Sequence, residues 1–302
     1  MQVINRFKSE IDNQKVRITV ATINADDATE LLVANTDNRK LRTAKIEEYR
    51  RAMNRGDFLF NGDAIRVGTV KGKNVLLDGQ HRLEALLAAD EGVTITTLIV
   101  EGLDPEARNT IDVGAPRTAA NLLEFGGEDR MVNAVNMAAL ARAALIMEGQ
   151  AMPSKLEVVQ FAKANQAELE RAYRHGVHAI EGSPLKGGVT PYALAAWFIG
   201  KAEPNGAMIE YFFQKLASGE GLFHGDPILA LRNRLVASPP DTAGGSRHRY
   251  TKNSAMFIRA WNAFAAGQNL TYIRGWGENQ SFPEAKPVAD KIRDEFEGQK
   301  AS

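Results

Sequence analysis

The residues best suited to chemistry lie together in one short segment, Leu77-Asp78-Gly79-Gln80-His81-Arg82. An Asp-Gly pair between an apolar run and a helical pattern predicts a turn from a strand into a helix. Such a turn presents free backbone N–H groups and the positive end of the helix dipole at one point, which favours a bound anion. Gly79 would let a ligand approach the backbone closely. The segment therefore predicts a phosphate-binding turn.

Three side chains after this glycine add to the prediction. Arg82 falls in the first turn of the predicted helix, where a cation opposes the helix dipole unless an anion lies between the two. His81 can donate to a phosphate or carry a proton, and Gln80 can bond the edge of a base or sugar. The alternative is a common Asp-Gly turn with His81 and Arg82 on a solvated surface. Spacing alone leaves both interpretations open.

Elements of two kinds must position this turn. Before residue 115, alternating β-branched residues predict strands at 15–23, 63–69, 73–77 and 93–100, and helical periodicity predicts helices at 28–34, 43–54 and 80–89. Lys71-Gly72 indicates a hairpin between the second and third strands. After residue 116 helical periodicity dominates, with helices expected at 117–124, 128–148, 155–164, 166–181, 190–202, 205–217, 226–236 and 250–266. The sequence therefore predicts an α/β part followed by a helical part.

Composition excludes several classes of protein. The 302 residues favour two domains, and the absence of cysteine excludes disulfides and thiolate metal sites. The charges balance, with 37 basic and 37 acidic residues, which argues against coating nucleic acid by bulk charge. No signal peptide and no membrane-spanning run is evident, so we expect a soluble cytoplasmic protein without a membrane partner.

Two further segments carry candidate site residues. Asp112 and Arg117 flank a Gly-Ala-Pro run after the last predicted strand; Asp112 could hold magnesium or orient Arg82, and Arg117 could reach a phosphate. The alternative is that Asp112 caps a turn and Thr118 caps a helix. The second segment has basic residues around an aromatic ring and no acid, which suits a nucleic-acid backbone and one stacked base. Its candidate residues are Arg247, Arg249, Tyr250 and Lys252, and the alternative is a loop with solvated cations.

The segment Val75-Leu76-Leu77-Asp78-Gly79-Gln80-His81-Arg82-Leu83-Glu84-Ala85 resembles the DGQHR signature of the ParB/sulfiredoxin-like superfamily. Residues 38–41, 110–119 and 260–264 are similar to phage and mobile-element members of that group. The resemblance implies an α+β fold, with a small mixed-sheet domain over residues 1–115 and a mostly α-helical domain over residues 116–302. It also implies that the turn binds the phosphates of CTP or ATP, usually with Mg²⁺. The expected phosphate-binding residues are Arg39, Gly79, Gln80, His81, Arg82 and Arg117.

Three functions follow as hypotheses. The first is a nucleotide-binding ParB-like protein that acts on or regulates DNA transactions, namely partitioning, modification or phage DNA metabolism. Its helical domain would contact DNA, a partner or a second copy of the chain. The second is a Mg²⁺-dependent nuclease or phosphotransferase with catalytic Asp78, His81 and Asp112, the last also binding the metal. The third is a non-catalytic scaffold. Sulfinic-acid repair, the sulfiredoxin reaction, is excluded because the chain has no cysteine.

Overall fold

The chain divides into two units, Met1–Pro116 and Arg117–Ser302. The structure, a computed structural model, describes residues 16–35, 40–111, 117–124, 131, 133–203, 206–240, 246–277 and 280–301. The first unit has a mixed sheet with helices and the second unit is helical, which confirms the α+β fold class.

The first unit holds a four-stranded sheet. Its elements are β1 (Arg17–Ile23), α1 (Ala25–Leu32), α2 (Thr43–Asn54), β2 (Ala64–Val70), β3 (Lys73–Asp78), α3 (Gln80–Leu87), β4 (Ile95–Leu103) and a 3-10 turn at Pro105–Thr110. The strand order is β1-β4-β2-β3. The pair β2/β4 is parallel, whereas β1/β4 and β2/β3 are antiparallel. The sheet is therefore mixed.

The predicted hairpin between β2 and β3 is confirmed. Val70 pairs with Lys73 across the two-residue turn. Lys71 and Gly72 have φ angles of 49° and 77°, and a positive φ at both central positions is what the twist of a tight hairpin requires. The hairpin brings the end of β3, and hence the predicted phosphate-binding turn, back beside the start of β2.

One apolar core joins the sheet to its helices. Ile23 of β1 lies opposite Ile95 of β4, and both are buried. Ile65 of β2 and Leu83 of α3 belong to the same core and are fully buried. Burial of each such side chain contributes about 1.5–3 kcal/mol. The first turn of α3 is consequently held on a packed scaffold.

The second unit is a helical bundle. Its helices are α4 (Ala119–Glu124), α5 (Ala134–Met147), α6 (Lys155–Ala164), α7 (Gln166–Ile180), α8 (Val189–Ala202), α9 (Gly206–Ser218), α10 (Pro227–Ala237), α11 (Ser246–Ala265) and α12 (Asp290–Ala301). Trp261 lies at the centre of an aromatic core with Phe212 and Phe264, at ring-centroid distances of 5.4 and 5.6 Å. A capping box begins α6, with reciprocal Ser154 and Glu157 hydrogen bonds of 3.2 and 2.8 Å.

Three features of the bundle differ from the sequence-based expectation. Helix α8 begins at Val189 with Gly188 as its N-cap, one residue before the expected start. Proline is accepted inside the first turn, where its missing N–H costs no hydrogen bond. Helix α11 begins at Ser246, four residues before the expected start, and α12 was not predicted. No helix in the described part of the chain is both long and apolar enough to cross a bilayer.

Candidate functional site at the amino end of helix α3

The predicted strand–turn–helix arrangement is present at residues 73–87. Strand β3 ends at Asp78, Gly79 occupies the N-cap position, and α3 begins at Gln80. Gly79 has a φ of 109°, and a Cβ atom at this position would lie 2.4 Å from the Cδ1 atom of Ile65. Both the backbone angle and the packing therefore require glycine. With no side chain on the N-cap, the amino end of α3 has no side-chain cap.

Asp78 ties two arginines together beneath this helix end. Its Oδ2 atom accepts hydrogen bonds from Arg66 at 2.6 Å and from Arg82 at 3.1 Å. Arg82 also donates to the carbonyl oxygen of Ala64 at 2.6 Å and is only 9% exposed. Arg82 therefore faces inward. A cation in the first turn of a helix is disfavoured unless an anion lies beside it. For Arg82 that anion is Asp78 of the protein itself.

His81 connects α3 to the start of α2. Its Nε2 atom accepts a 3.0 Å hydrogen bond from the backbone N–H of Arg42, the N-cap residue of α2. An accepting Nε2 carries no proton, which places the proton of the neutral ring on Nδ1. His81 and Gln80 are 8% and 6% exposed. In this arrangement His81 positions the beginning of α2.

A cavity of about 460 Å³ opens in front of these residues. Its volume falls in the range of about 300–1,000 Å³ that is typical of small-molecule sites. It is lined by Arg42, Lys45, Tyr49, Asp63, Arg66, Leu77, Asp78, Gly79, Gln80, His81, Arg82, Arg108 and Ile111. We call it the cationic cavity, because five arginine or lysine side chains line it against two carboxylates, an excess of three positive charges.

The cations differ in how they are held. Arg66 and Arg82 bind Asp78, as described above. Lys45 makes a 3.0 Å ion pair with Glu48, and its ammonium lies 4.3 Å from the centroid of the Tyr49 ring. Arg108 donates to the carbonyl oxygen of Leu76 at 3.4 Å. Arg42 is exposed at the rim. The cavity thus combines two arginines that share one carboxylate beneath the helix end with three further cations around them.

The structure brings together five of the predicted site residues, Asp78, Gly79, Gln80, His81 and Arg82. Arg39 and Asp112 lie outside the described residues. Arg117 belongs to the second unit, where it is exposed and its carbonyl oxygen accepts a 3.0 Å hydrogen bond from Lys155. No group of three or more His, Cys, Asp or Glu side chains suited to a metal ion occurs among the residues that the structure describes.

Sequence reasoning missed much of the cavity wall. The sequence patterns single out neither Arg42 nor Lys45, yet both line the cavity. The same is true of Arg66 and Arg108. For Arg66 a signal existed, because a cation inside the apolar strand β2 needs an anionic partner on a neighbouring strand. Arg108 lies in a 3-10 turn, for which the sequence gives no comparable signal.

The candidate nucleic-acid segment lies in the first turns of α11. Arg247 donates to the carbonyl oxygen of Ile146 at 3.2 Å, near the carboxyl end of α5. Tyr250 packs against the core of the bundle, and the Arg249 guanidinium lies 5.0 Å from its ring centroid. Lys252 is half-buried. The segment is a helix docked on the bundle, so Arg247 and Tyr250 have structural contacts whatever else they bind.

Comparisons with protein-family models, curated proteins and solved structures found no match to the chain.

Proposed function

We propose that the cationic cavity binds the phosphate groups of a nucleoside triphosphate, CTP or ATP. On this proposal the chain is a ParB-like nucleotide-binding protein that acts on or regulates DNA transactions in partitioning, modification or phage DNA metabolism. The observation that carries the proposal is the excess of three positive charges around a helix amino end that is capped by Gly79.

Three contributions favour phosphate at this position. The helix end contributes about 0.3–1 kcal/mol through its dipole and N–H groups. Each hydrogen bond between a phosphate oxygen and a charged side chain contributes about 1.5–3 kcal/mol. The cations therefore outweigh the dipole. Arg42 is the exposed cation at the rim, and we assign the direct phosphate contacts to it and to Lys45 and Arg108, which also line the cavity. Arg66 and Arg82 bind Asp78 beneath them.

The donor set also suits a Mg²⁺ ion carried by the nucleotide. Such an ion is bound through one or two carboxylates together with phosphate oxygens. Asp63 is the exposed carboxylate of the cavity, whereas Asp78 accepts from two guanidinium groups. We assign the metal contact to Asp63, whose Oδ2 atom accepts from the Asn61 amide at 3.0 Å. Bound magnesium would neutralise part of the phosphate charge.

Two contacts favour binding over catalysis in this cavity. The Asp78 carboxylate is engaged by two arginines, and the Nε2 atom of His81 accepts from the backbone of Arg42. Neither group is placed to take a proton from a ligand without losing these bonds. The nuclease or phosphotransferase alternative predicts phosphate release or plasmid nicking with Mg²⁺. We expect neither, and turnover of either substrate would favour the enzyme.

Thermal denaturation with the four ribonucleoside triphosphates tests nucleotide binding. Arg82→Ala is a poor test variant, because it removes the hydrogen bonds to Ala64 and Asp78 from the unliganded protein. Arg42→Gln removes a rim cation instead, and Arg50→Gln is the matched control, because Arg50 lies on α2 outside the cavity lining. We expect CTP or ATP to raise the melting temperature of the wild type and of Arg50→Gln, and to raise that of Arg42→Gln much less.

An equal rise in both variants would place the nucleotide elsewhere. No rise with any of the four nucleotides would support the scaffold hypothesis.

The DNA part of the proposal is supported by the basic residues at the start of α11. Arg247 is exposed there, and Arg249 and Lys252 are half-buried. Binding through such cations should weaken steeply with salt. We expect the double change of Arg249 and Lys252 to Gln to weaken binding to duplex DNA and to lower its salt dependence. The control is Arg171→Gln, since Arg171 is an exposed cation of the same unit with a 3.5 Å contact to Glu168. DNA binding that is absent or insensitive to salt would contradict this part.

A further inference from the structure

A second cavity lies within the helical unit and has the opposite chemistry. Its volume is about 280 Å³. We call it the aromatic-acidic cavity, after the four rings and two carboxylates that line it: Tyr211, Phe223, Phe264, Phe296, Asp226 and Glu295. No lysine, arginine or histidine lines it within the described part of the chain.

Three of the four rings, Tyr211, Phe264 and Phe296, pack together, and we call them the aromatic wall. Tyr211 of α9 stacks on Phe264 of α11 at a centroid distance of 6.0 Å, with the ring planes 22° apart. Phe296 of α12 meets Tyr211 edge to face at 5.1 Å. Phe223 is 64% exposed, an unusual position for so large an apolar side chain. Aromatic faces carry negative electrostatic potential and attract cations.

One cation of the chain already lies near this wall. The ammonium of Lys215 is 5.7 Å from the centroid of the Tyr211 ring, and it donates to the carbonyl oxygen of Glu220 at 3.0 Å. Lys215 is not part of the cavity lining.

The negative charge of Asp226 acts on Tyr211 of the aromatic wall. Its Oδ1 atom caps α10 by accepting from the N–H of Ile228 at 2.7 Å, and its second oxygen accepts no hydrogen bond from the described residues. Burial, and then the negative charge of Asp226, raise the pKa of the Tyr211 phenol. Asp226 thus has an oxygen available to a ligand.

Glu295 contributes a second, more exposed charge. It is 4.0 Å from the ammonium of Lys291, and the two side chains are 56% and 84% exposed. An ion pair this exposed and this long contributes little, because solvent screens it. Glu295 can therefore turn toward a ligand at small cost.

We propose that the aromatic-acidic cavity binds a small organic cation, with its ammonium or guanidinium group beside Asp226 and Glu295 and its apolar part against the aromatic wall. Both kinds of lining residue select the same ligand. A cation over an aromatic face gains about 0.5–1 kcal/mol when exposed and about 2 kcal/mol or more when desolvated. A neutral molecule of the same shape would gain only the apolar contacts, and an anion would be repelled by both carboxylates.

Choline chloride and its neutral isostere 3,3-dimethylbutan-1-ol test the proposal on the full chain. The probe is titrated at constant ionic strength, and binding is followed by chemical-shift changes in methyl and aromatic NMR signals and by the melting temperature. We expect choline to bind at least about fivefold more tightly than the alcohol, a difference of about 1 kcal/mol. n-Butylammonium and butan-1-ol form a second matched pair, with the same expected order.

Charge variants locate the site. Asp226→Asn removes the charge and keeps the helix cap, because asparagine is an equally good N-cap residue. Glu295→Gln changes an exposed side chain of α12 and leaves folding unaffected. We expect each to weaken choline binding about fivefold or more, a loss of about 1 kcal/mol. Asp294→Asn, an exposed neighbour outside the lining, should leave binding unchanged.

Three results would overturn the proposal. Equal affinities for choline and for the alcohol would show that the cavity recognises apolar shape and not charge. Unchanged choline binding in both Asp226→Asn and Glu295→Gln would place the cation elsewhere. No binding of either cation would leave the cavity without this ligand class.

Discussion

The two cavities differ in what holds them open. The cationic cavity depends on the backbone, since Gly79 must adopt a φ of 109° against Ile65 for the strand to enter the helix. The aromatic-acidic cavity depends on the packing of α12 against the bundle. The first cavity therefore depends on a fixed chain turn, and the second depends on a fixed helix.

Helix α12 is anchored by an ion pair between half-buried Arg293 and a buried carboxylate. Glu203, at the carboxyl end of α8, is 1% exposed, and its Oε2 atom accepts from Arg293 at 2.8 Å and from the N–H of Val288 at 3.0 Å. Helix α12 supplies Phe296 to the aromatic-acidic cavity. This ion pair therefore positions the lining of that cavity, as Gly79 does for the cationic cavity. Breaking each anchor tests the comparison.

The largest effect is expected from Arg293→Ala. It leaves the charge of Glu203 in the core without its guanidinium, at a cost of about 3–5 kcal/mol to the helical unit. All three tryptophans, Trp197, Trp261 and Trp276, lie in this unit, so denaturant unfolding followed by tryptophan fluorescence reports on it selectively.

Lys291→Ala is the control for Arg293→Ala, because its exposed ion pair should contribute less than about 1 kcal/mol. Equal effects of the two changes would contradict the anchoring role of Arg293.

Gly79→Ala should have the second largest effect. The new Cβ atom adds a clash with Ile65 to a strained backbone angle, and we expect a loss of about 2–4 kcal/mol in the first unit. Amide hydrogen exchange of residues 64–87 measures it. Gly72 also has a positive φ, 77°, but the Cβ atom in Gly72→Ala would meet nothing within 4 Å. It should cost about 1 kcal/mol.

If the two glycine variants were equally stable, close packing at Gly79 would not explain the turn.

Much of this fold is predictable because it depends on neighbouring residues. The Lys71-Gly72 hairpin and the Ser154 capping box are local patterns, and so is the helix that follows Gly79. The ion pair between Arg66 and Asp78 does not follow from a local pattern. It depends on how two strands pair across a bulge between Arg66 and Val67, which short-range patterns do not specify.

The same distinction explains the missed elements. Helix α12 has a mostly charged sequence, DKIRDEFEGQKA, and its contacts through Ile292 and Phe296 are with distant helices. The rim of the cationic cavity combines Arg42 and Arg108, which are far apart in sequence. Only the tertiary fold brings such residues together.

The smallest expected effect is a pH dependence confined to the helical unit. Burial, above all, lowers the pKa of His175, with further lowering by His178, Arg174 and Arg171 and an opposing effect of Glu210. The unfolded chain therefore binds a proton more readily than the folded one. The contribution of His175 to the free energy of unfolding is fully present above the unfolded pKa of about 6.5. It falls as the pH drops below that value, by less than about 1.4 kcal/mol per pH unit.

Comparing unfolding free energies at pH 7.5 and pH 5 for the wild type and His175→Gln measures this contribution. We expect a smaller pH-dependent loss in the variant. A loss equal to that of the wild type would show that other groups cause the pH dependence.

The central claim is that the amino end of α3 holds phosphate groups, and calorimetric titration with a nucleoside and its mono-, di- and triphosphates tests it most directly. We predict that affinity rises with each added phosphate and that Arg42→Gln flattens this rise while Arg50→Gln preserves it. Equal affinity across the series, or the same rise in both variants, would contradict the claim.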